Sequence, residues 1–235
     1  MSTQRLSDLR DYYALLAVLS ERTGGPRRLR DCSGRMYWPN RGVYFFMEDG
    51  EARSDSGSGP RIVRVGTHAL TDSSRTKLWA RLRQHRGQGK SGGGNHRGSI
   101  FRLIVGTALI ARYGHDFPTW GQGNNAPANV RLGEINLERE VSTVIGDMPF
   151  LWLAVEDEPG PRSLRGYIER NSIALLSNFE KESLDPPSAG WLGHSCSRER
   201  VRTSGLWNQN HVDEAYDPAF LGHLEALVSN AERAA

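Results

Sequence analysis

Six side chains in this sequence are of the types that phosphodiester chemistry needs. Tyr44 ends Gly42-Val43-Tyr44, which opens an apolar stretch, and Arg64 begins Arg64-Val65-Gly66, which closes another, with His68 just beyond. Arg81 and His85 follow, four residues apart, and Glu169 comes much later. Hydrolysing a phosphodiester takes a group that removes a proton from water, positive charge for the phosphorane that develops, and assistance to the leaving oxygen. A tyrosine or a histidine can accept the proton. An arginine can grip the phosphate through two parallel N–H bonds. Magnesium keeps several of its own waters and needs few protein ligands, so a single carboxylate such as Glu169 is enough to hold it.

These residues must be positioned by regular elements. Residues 42–48 (GVYFFME) are β-branched and aromatic and predict a strand, and 61–66 (RIVRVG) alternate and predict its partner. The polar, Gly/Ser-rich run 49–60 between them makes 42–66 a hairpin with a long loop. A helix is expected over 75–86, capped by Ser73 or Ser74, with Leu78 and Leu82 buried and Arg81 and His85 on a different face. A second is expected over 100–113, capped at Ser99, and a weaker one over 135–145. Residues 149–155 (PFLWLAV) predict a buried third strand, and 161–178 a helix with Pro161 near its first turn and Glu169 in its early part. Helical spacing at 5–20 and 217–232 adds an element at each end. Residues 114–130 are expected to be a loop and 183–210 irregular. The expected fold class is α+β, a small, mainly antiparallel three-stranded sheet flanked by helices. It forms one domain over 1–235, with a core at 40–180, an N-terminal helical extension at 1–39 and a C-terminal extension at 181–235.

Bulk properties narrow the setting. The chain has 235 residues and a net charge of +3, and its isoelectric point is about 9.0. Between Arg75 and Arg102 there are eight Lys or Arg and no Asp or Glu over 28 positions, a stripe that suits a phosphate backbone. No apolar run approaches the roughly 18 residues that span a bilayer, and 12–19 (YYALLAVL) is too short and too flanked by charge for a signal peptide. A cytoplasmic location without membrane partners is expected. With only Cys32 and Cys196 there is no disulfide framework, and His194-Ser195-Cys196 lacks the second half of a zinc site.

The order of these parts resembles the GIY-YIG nuclease family, over about residues 40–180. Gly42-Val43-Tyr44 matches the first motif, which implies that Tyr44 lies near the attacking water. Arg64-Val65-Gly66 stands where the second motif belongs, with arginine in place of its tyrosine. Arg64 then contacts phosphate or polarises Tyr44, and His68 is a substitute proton acceptor. LWARLRQH resembles the family helix whose arginine binds the scissile phosphate and whose histidine follows one turn later, which implies Arg81 and His85. GNHRGSIFR resembles the stretch before the second helix and implies His96 near the site. With Lys90 and Arg97 of the basic stripe, His96 is expected to touch substrate. YIERNSIALLSN resembles the metal-binding helix, with Glu169 as ligand for Mg²⁺ or, alternatively, Mn²⁺. Asn178 is the candidate for the family's late asparagine and Asn171 the second choice. The activity implied is a metal-dependent endonuclease of restriction or defence type acting on double-stranded DNA, with a homodimer suited to a double-strand cut.

Other readings compete. Loss of the second tyrosine is consistent with a catalytically weak nucleic-acid-binding module, or with a subunit of a larger defence or repair assembly. Gly89-Lys90-Ser91 looks like the end of a phosphate-binding loop, but Gln84 stands where its first glycine belongs. The glycine-rich run 87–98 either brings backbone amides to DNA or serves as a linker. In the tail, Trp191 and Trp207 are expected to pack on the core, and Arg198, Arg200 and Arg202 to contact DNA.

Overall fold

The fold is built on one antiparallel sheet whose two faces are both covered by helices. A computed structural model describes residues 2–88 and 92–231. Its strands are β1 (Arg27–Arg28), β2 (Gly42–Ala52), β3 (Pro60–Gly66) and β4 (Pro149–Ala154), in the order β1-β4-β2-β3. The three expected strands are present. The fourth, β1, is a two-residue strand pairing with Phe150 and Pro149, too short to leave a periodic signal in the sequence. The helices are α1 (Ser2–Thr23), α2 (Leu78–Arg86), α3 (Ile100–Tyr113), α4 (Ala128–Gly133), α5 (Ile135–Asp147), α6 (Leu164–Leu176), α7 (Glu199–Ser204) and α8 (Phe220–Ser229).

Covering both faces explains why β2 is apolar without interruption from Val43 to Met47. Val43, Phe45 and Met47 point into a core shared with α1, α6 and α8, while Tyr44 and Phe46 point into a second core shared with α2, α3 and α5. The β2–β3 register pairs Phe46 with Arg64 but Met47 with Ile62, so Val63 is an extra residue in β3. This bulge places Arg64 opposite Phe46, on the α2/α3 face shared with Tyr44. Bulges commonly re-aim a side chain in this way beside a functional site.

The outer edge of β3 is not left open. Trp207 N–H donates to Val63 O at 2.7 Å, and the Asn208 amide accepts from Val65 N–H at 3.1 Å and donates to Val65 O at 2.8 Å. The C-terminal segment thus satisfies backbone groups that an edge strand would otherwise expose. Trp191 and Trp207 are buried, as their expected packing role requires, and both indole N–H groups converge on Glu48 at 3.1 and 3.0 Å.

Several local expectations change. Helix α2 begins at Leu78 after Lys77, with no side-chain cap, while Ser74 closes a turn on Thr71. Helix α6 begins at Leu164 because Ser163 caps the Gly166 N–H, three residues beyond the expected start at Pro161. Ser99 caps α3 as expected, accepting from the Arg102 N–H. The short helices α4 and α7 lie where a loop and an irregular stretch are expected. Among the described residues no helix is long and apolar enough to cross a membrane.

Candidate active site

Tyr44 is fixed by its neighbours on three sides. Across the sheet it pairs with Gly66 of β3 and Trp152 of β4. A Cβ on Gly66 would fall 2.4 Å from the Tyr44 hydroxyl and 2.5 Å from its ring, so only glycine leaves room for this tyrosine. From above, His85 Nε2 meets the Tyr44 hydroxyl at 2.8 Å, and His85 Nδ1 meets Ser99 Oγ at 2.8 Å. His85 therefore does not share an exposed face with Arg81, as the sequence leads one to expect. It is fully buried, on the same stripe of α2 as Leu78 and Leu82. Burial first, then the charges of Arg81, Arg64 and Arg102, holds its imidazole well below the ordinary histidine range. It is a neutral ring that anchors a phenol.

Arg64 is buried beside Tyr44. Its guanidinium lies 4.5 Å from the centre of the Phe101 ring and donates to Trp207 O. Burial works against its charge, while Tyr44 and Glu169 support it. Just past β3, Thr67 N–H donates to Glu169 Oε1 at 3.0 Å, which ties α6 to the end of the strand. Burial raises the Glu169 pKa, opposed by Arg64, the Thr67 N–H, His211 and Arg81. His68 is buried, with Nε2 3.3 Å from Asn40 O and no partner for Nδ1 among the described residues. Its pKa is lowered to about 4 by burial first, with Arg165, Arg81 and Arg41 adding to the effect. Arg81 is half-buried on α2 and donates to Gln84 Oε1 at 3.1 Å and Gly98 O at 3.3 Å. Its charge bears on Arg64, His68, His85 and Glu169 alike, so all six of the leading candidates lie around one centre.

The other candidates are elsewhere or otherwise engaged. Lys90 lies outside the described residues. His96 is buried, with Nδ1 on Glu138 at 3.0 Å, Nε2 accepting from Gly121 N–H at 3.1 Å, and its ring stacked on Trp120. Arg97 makes a bidentate pair with Glu134 at 2.6 and 2.9 Å. Both are consumed in folding the segment after α2 onto α5, which leaves neither a free group for substrate. Asn178 holds a turn, taking N–H groups from Arg5 and Leu184 and donating to Leu184 O. Asn171 binds Tyr167 O and Asp217 N–H. The tail arginines are likewise engaged within the chain: Arg198 with Gln209, Arg200 with Asp213 at 2.5 Å, and Arg202 with Cys196 O at 2.7 Å.

Four residues near the site escape sequence reasoning. Ser99 and Arg102 hold His85, the latter by donating Nη1–H to His85 O at 2.8 Å while paired with Glu138. Asn208 rather than Asn178 grips the strand that carries Arg64. His211, with φ at +65°, pairs with Glu214 at 2.8 Å and puts its charge near Glu169. A non-glycine residue in the left-handed region is a mark of functional or strained positions. The run SGLWNQNH already signals this segment by its amide, aromatic and histidine content.

Glu169 fits a cation that brings its own waters. Among the described residues no three His, Cys, Asp or Glu side chains group as a metal cage. One Glu169 oxygen takes the Thr67 N–H, and no hydrogen bond among the described residues engages the other. One open carboxylate oxygen is what a magnesium ion that keeps most of its own waters would need.

A family model described as the GIY-YIG domain matches residues 3–234 of the chain. No curated protein and no solved structure gives a match.

Proposed function

This chain belongs to the GIY-YIG family, and on that premise we propose that it is a divalent-metal-dependent endonuclease hydrolysing phosphodiester bonds in DNA. The observation that carries this reading is the buried Tyr44–His85 hydrogen bond of 2.8 Å, with Arg81 placed to bear on Arg64, His85 and Glu169.

Tyr44 orients the attacking water and takes its proton while passing its own hydroxyl proton to His85 Nε2. Ser99 Oγ accepts both the Arg102 N–H and the His85 Nδ1–H, which leaves Nε2 open to receive the Tyr44 proton. His68, neutral and with a free Nδ1, is the second proton acceptor in reach of the same centre. Arg81 clamps the scissile phosphate, and Arg64 adds charge from below in the position of the missing motif tyrosine. Glu169 holds Mg²⁺ or Mn²⁺, which when bound supplies positive charge to the leaving oxygen. The substrate is double-stranded DNA, in a restriction or defence role, and a homodimer supplies the two sites that a double-strand cut needs.

The test is nicking of supercoiled plasmid by wild type, Tyr44→Phe and Arg81→Ala in magnesium. This reading expects cleavage by the wild type and a loss of at least about a hundredfold in each variant. The replacement of the motif tyrosine by Arg64 favours a second reading, a binding module that does not cut. Wild-type DNA binding without nicking in any divalent metal selects it.

A further inference from the structure

We propose that the loop 33–41 is a preformed substrate arm, in which Tyr37 and Arg35 hold the nucleic acid on the flank of α2 opposite Arg81. This rests on the nuclease reading and assigns it a contact surface outside the motifs.

The loop is pinned along its length, so what it presents outward is fixed. Trp38 Nε1–H donates to Ser33 O at 2.9 Å, and the Trp38 ring stacks on Trp79 at 4.9 Å and lies 4.8 Å from Trp152. Gly34 packs on the Trp79 indole so closely that a Cβ would lie 2.8 Å from its nitrogen. At the far end, Asn40 O accepts from Leu78 N–H, at the start of α2, and lies 3.3 Å from His68 Nε2. The arm is therefore anchored on a catalytic candidate and on the helix that carries Arg81.

Between these anchors Tyr37 is 82% exposed, and its ring has no aromatic or hydrogen-bond partner among the described residues. Arg35 beside it is exposed and makes no ion pair among the described residues. On α2, Trp79, Arg83 and Arg86 recur at helical spacing on the face turned to the arm. Arg86 lies 5.2 Å from the Trp79 ring centre and donates to Cys32 O, while Arg83 is exposed with no ion pair among the described residues. Of the nearby carboxylates, Asp31 lies 3.8 Å from Arg30 and Glu156 accepts the Asn40 N–H. A rigid outward aromatic flanked by uncompensated guanidinium groups is how a protein grips a nucleic-acid strand, by stacking on a base and pairing with its phosphates. Arg81 lies about 200° around α2 from Trp79, on the other flank of the helix, so the arm grips the nucleic acid away from the scissile phosphate.

The experiment measures binding of a fluorescent duplex by anisotropy, with metal removed by EDTA, for full-length wild type, Tyr37→Ala, Tyr37→Phe and Arg35→Ala. The arm predicts about tenfold weaker binding for Tyr37→Ala and near wild-type binding for Tyr37→Phe, because the ring and not the hydroxyl is used. Arg35→Ala lowers the slope of log K against log salt by about one. Tyr37→Ala and Arg35→Ala binding within twofold of wild type would overturn the arm while leaving the nuclease reading intact. A wild type that binds no DNA removes both. Thermal melting checks folding, and because Tyr37 is exposed, no change is expected there.

Discussion

The Tyr44 hydroxyl and the Nε2 atom of His85 lie 2.8 Å apart in a fully buried setting, and both nitrogens of that imidazole are engaged. His85 thus acts through Tyr44 and not on solvent. His85→Ala is expected to lower kcat by about 10²–10⁴ with little change in KM. It also leaves the Tyr44 and Ser99 hydroxyls without their partner, costing about 2–4 kcal/mol in urea unfolding. Tyr44→Phe combined with His85→Ala is expected to be about as slow as the worse single variant, because the two work as one unit. Multiplying losses would separate them.

The two motif glycines are required for different reasons. A Cβ at Gly42 would lie 2.4 Å from Leu153 O, a backbone atom of the neighbouring strand that cannot swing away. Gly42→Ala is expected to destabilise the sheet by about 1–3 kcal/mol. At Gly66 the clash is with the Tyr44 side chain. Gly66→Ala should therefore retain more stability than Gly42→Ala while losing activity, as read by melting and plasmid nicking in parallel.

Acid should weaken the fold through His68. In the unfolded chain it takes up a proton near the ordinary 6.5, and in the folded chain only near 4. Between these values the unfolded chain binds more protons, so stability is fully present above about pH 6.5 and falls as pH drops toward 4. The effect is at most about 3 kcal/mol. His68→Asn should flatten the dependence of urea unfolding on pH across that window, and an unchanged slope would show that His68 charges freely in the folded protein.

Arg97 tests how far the basic stripe is structural. Its side chain and that of Glu134 are 3% and 2% exposed in their ion pair. Arg97→Ala leaves a buried carboxylate without its arginine and should cost about 3–5 kcal/mol. DNA affinity of the folded fraction should be unchanged. A weaker affinity with unchanged stability would return Arg97 to the substrate.

The parts of this fold visible in the sequence are those written in local periodicity. Alternating β-branched and aromatic residues mark β2 and β3, and Arg81 and Glu169 stand out as charged residues at fixed positions on amphipathic helices. His85 is harder to place, because a polar residue among arginines suggests an exposed face. Yet Leu78, Leu82 and His85 already follow the i, i+4, i+7 spacing of a buried stripe. The bulge at Val63 has no sequence mark, and without it Arg64 would turn to the other face of the sheet. His96 and Arg97 find their carboxylates 42 and 37 residues away, and Asn208 meets Val65 across 143 residues. Such pairings are set by topology, so local spacing assigns these residues wrongly or passes over them.

The central claim is tested most directly by incubating supercoiled plasmid with wild type and with Glu169→Ala, each in Mg²⁺ and in EDTA. The account predicts nicking or linearisation by the wild type in Mg²⁺ alone, and none by Glu169→Ala at comparable folded concentration. Equal cleavage by Glu169→Ala, or cleavage that persists in EDTA, would contradict it.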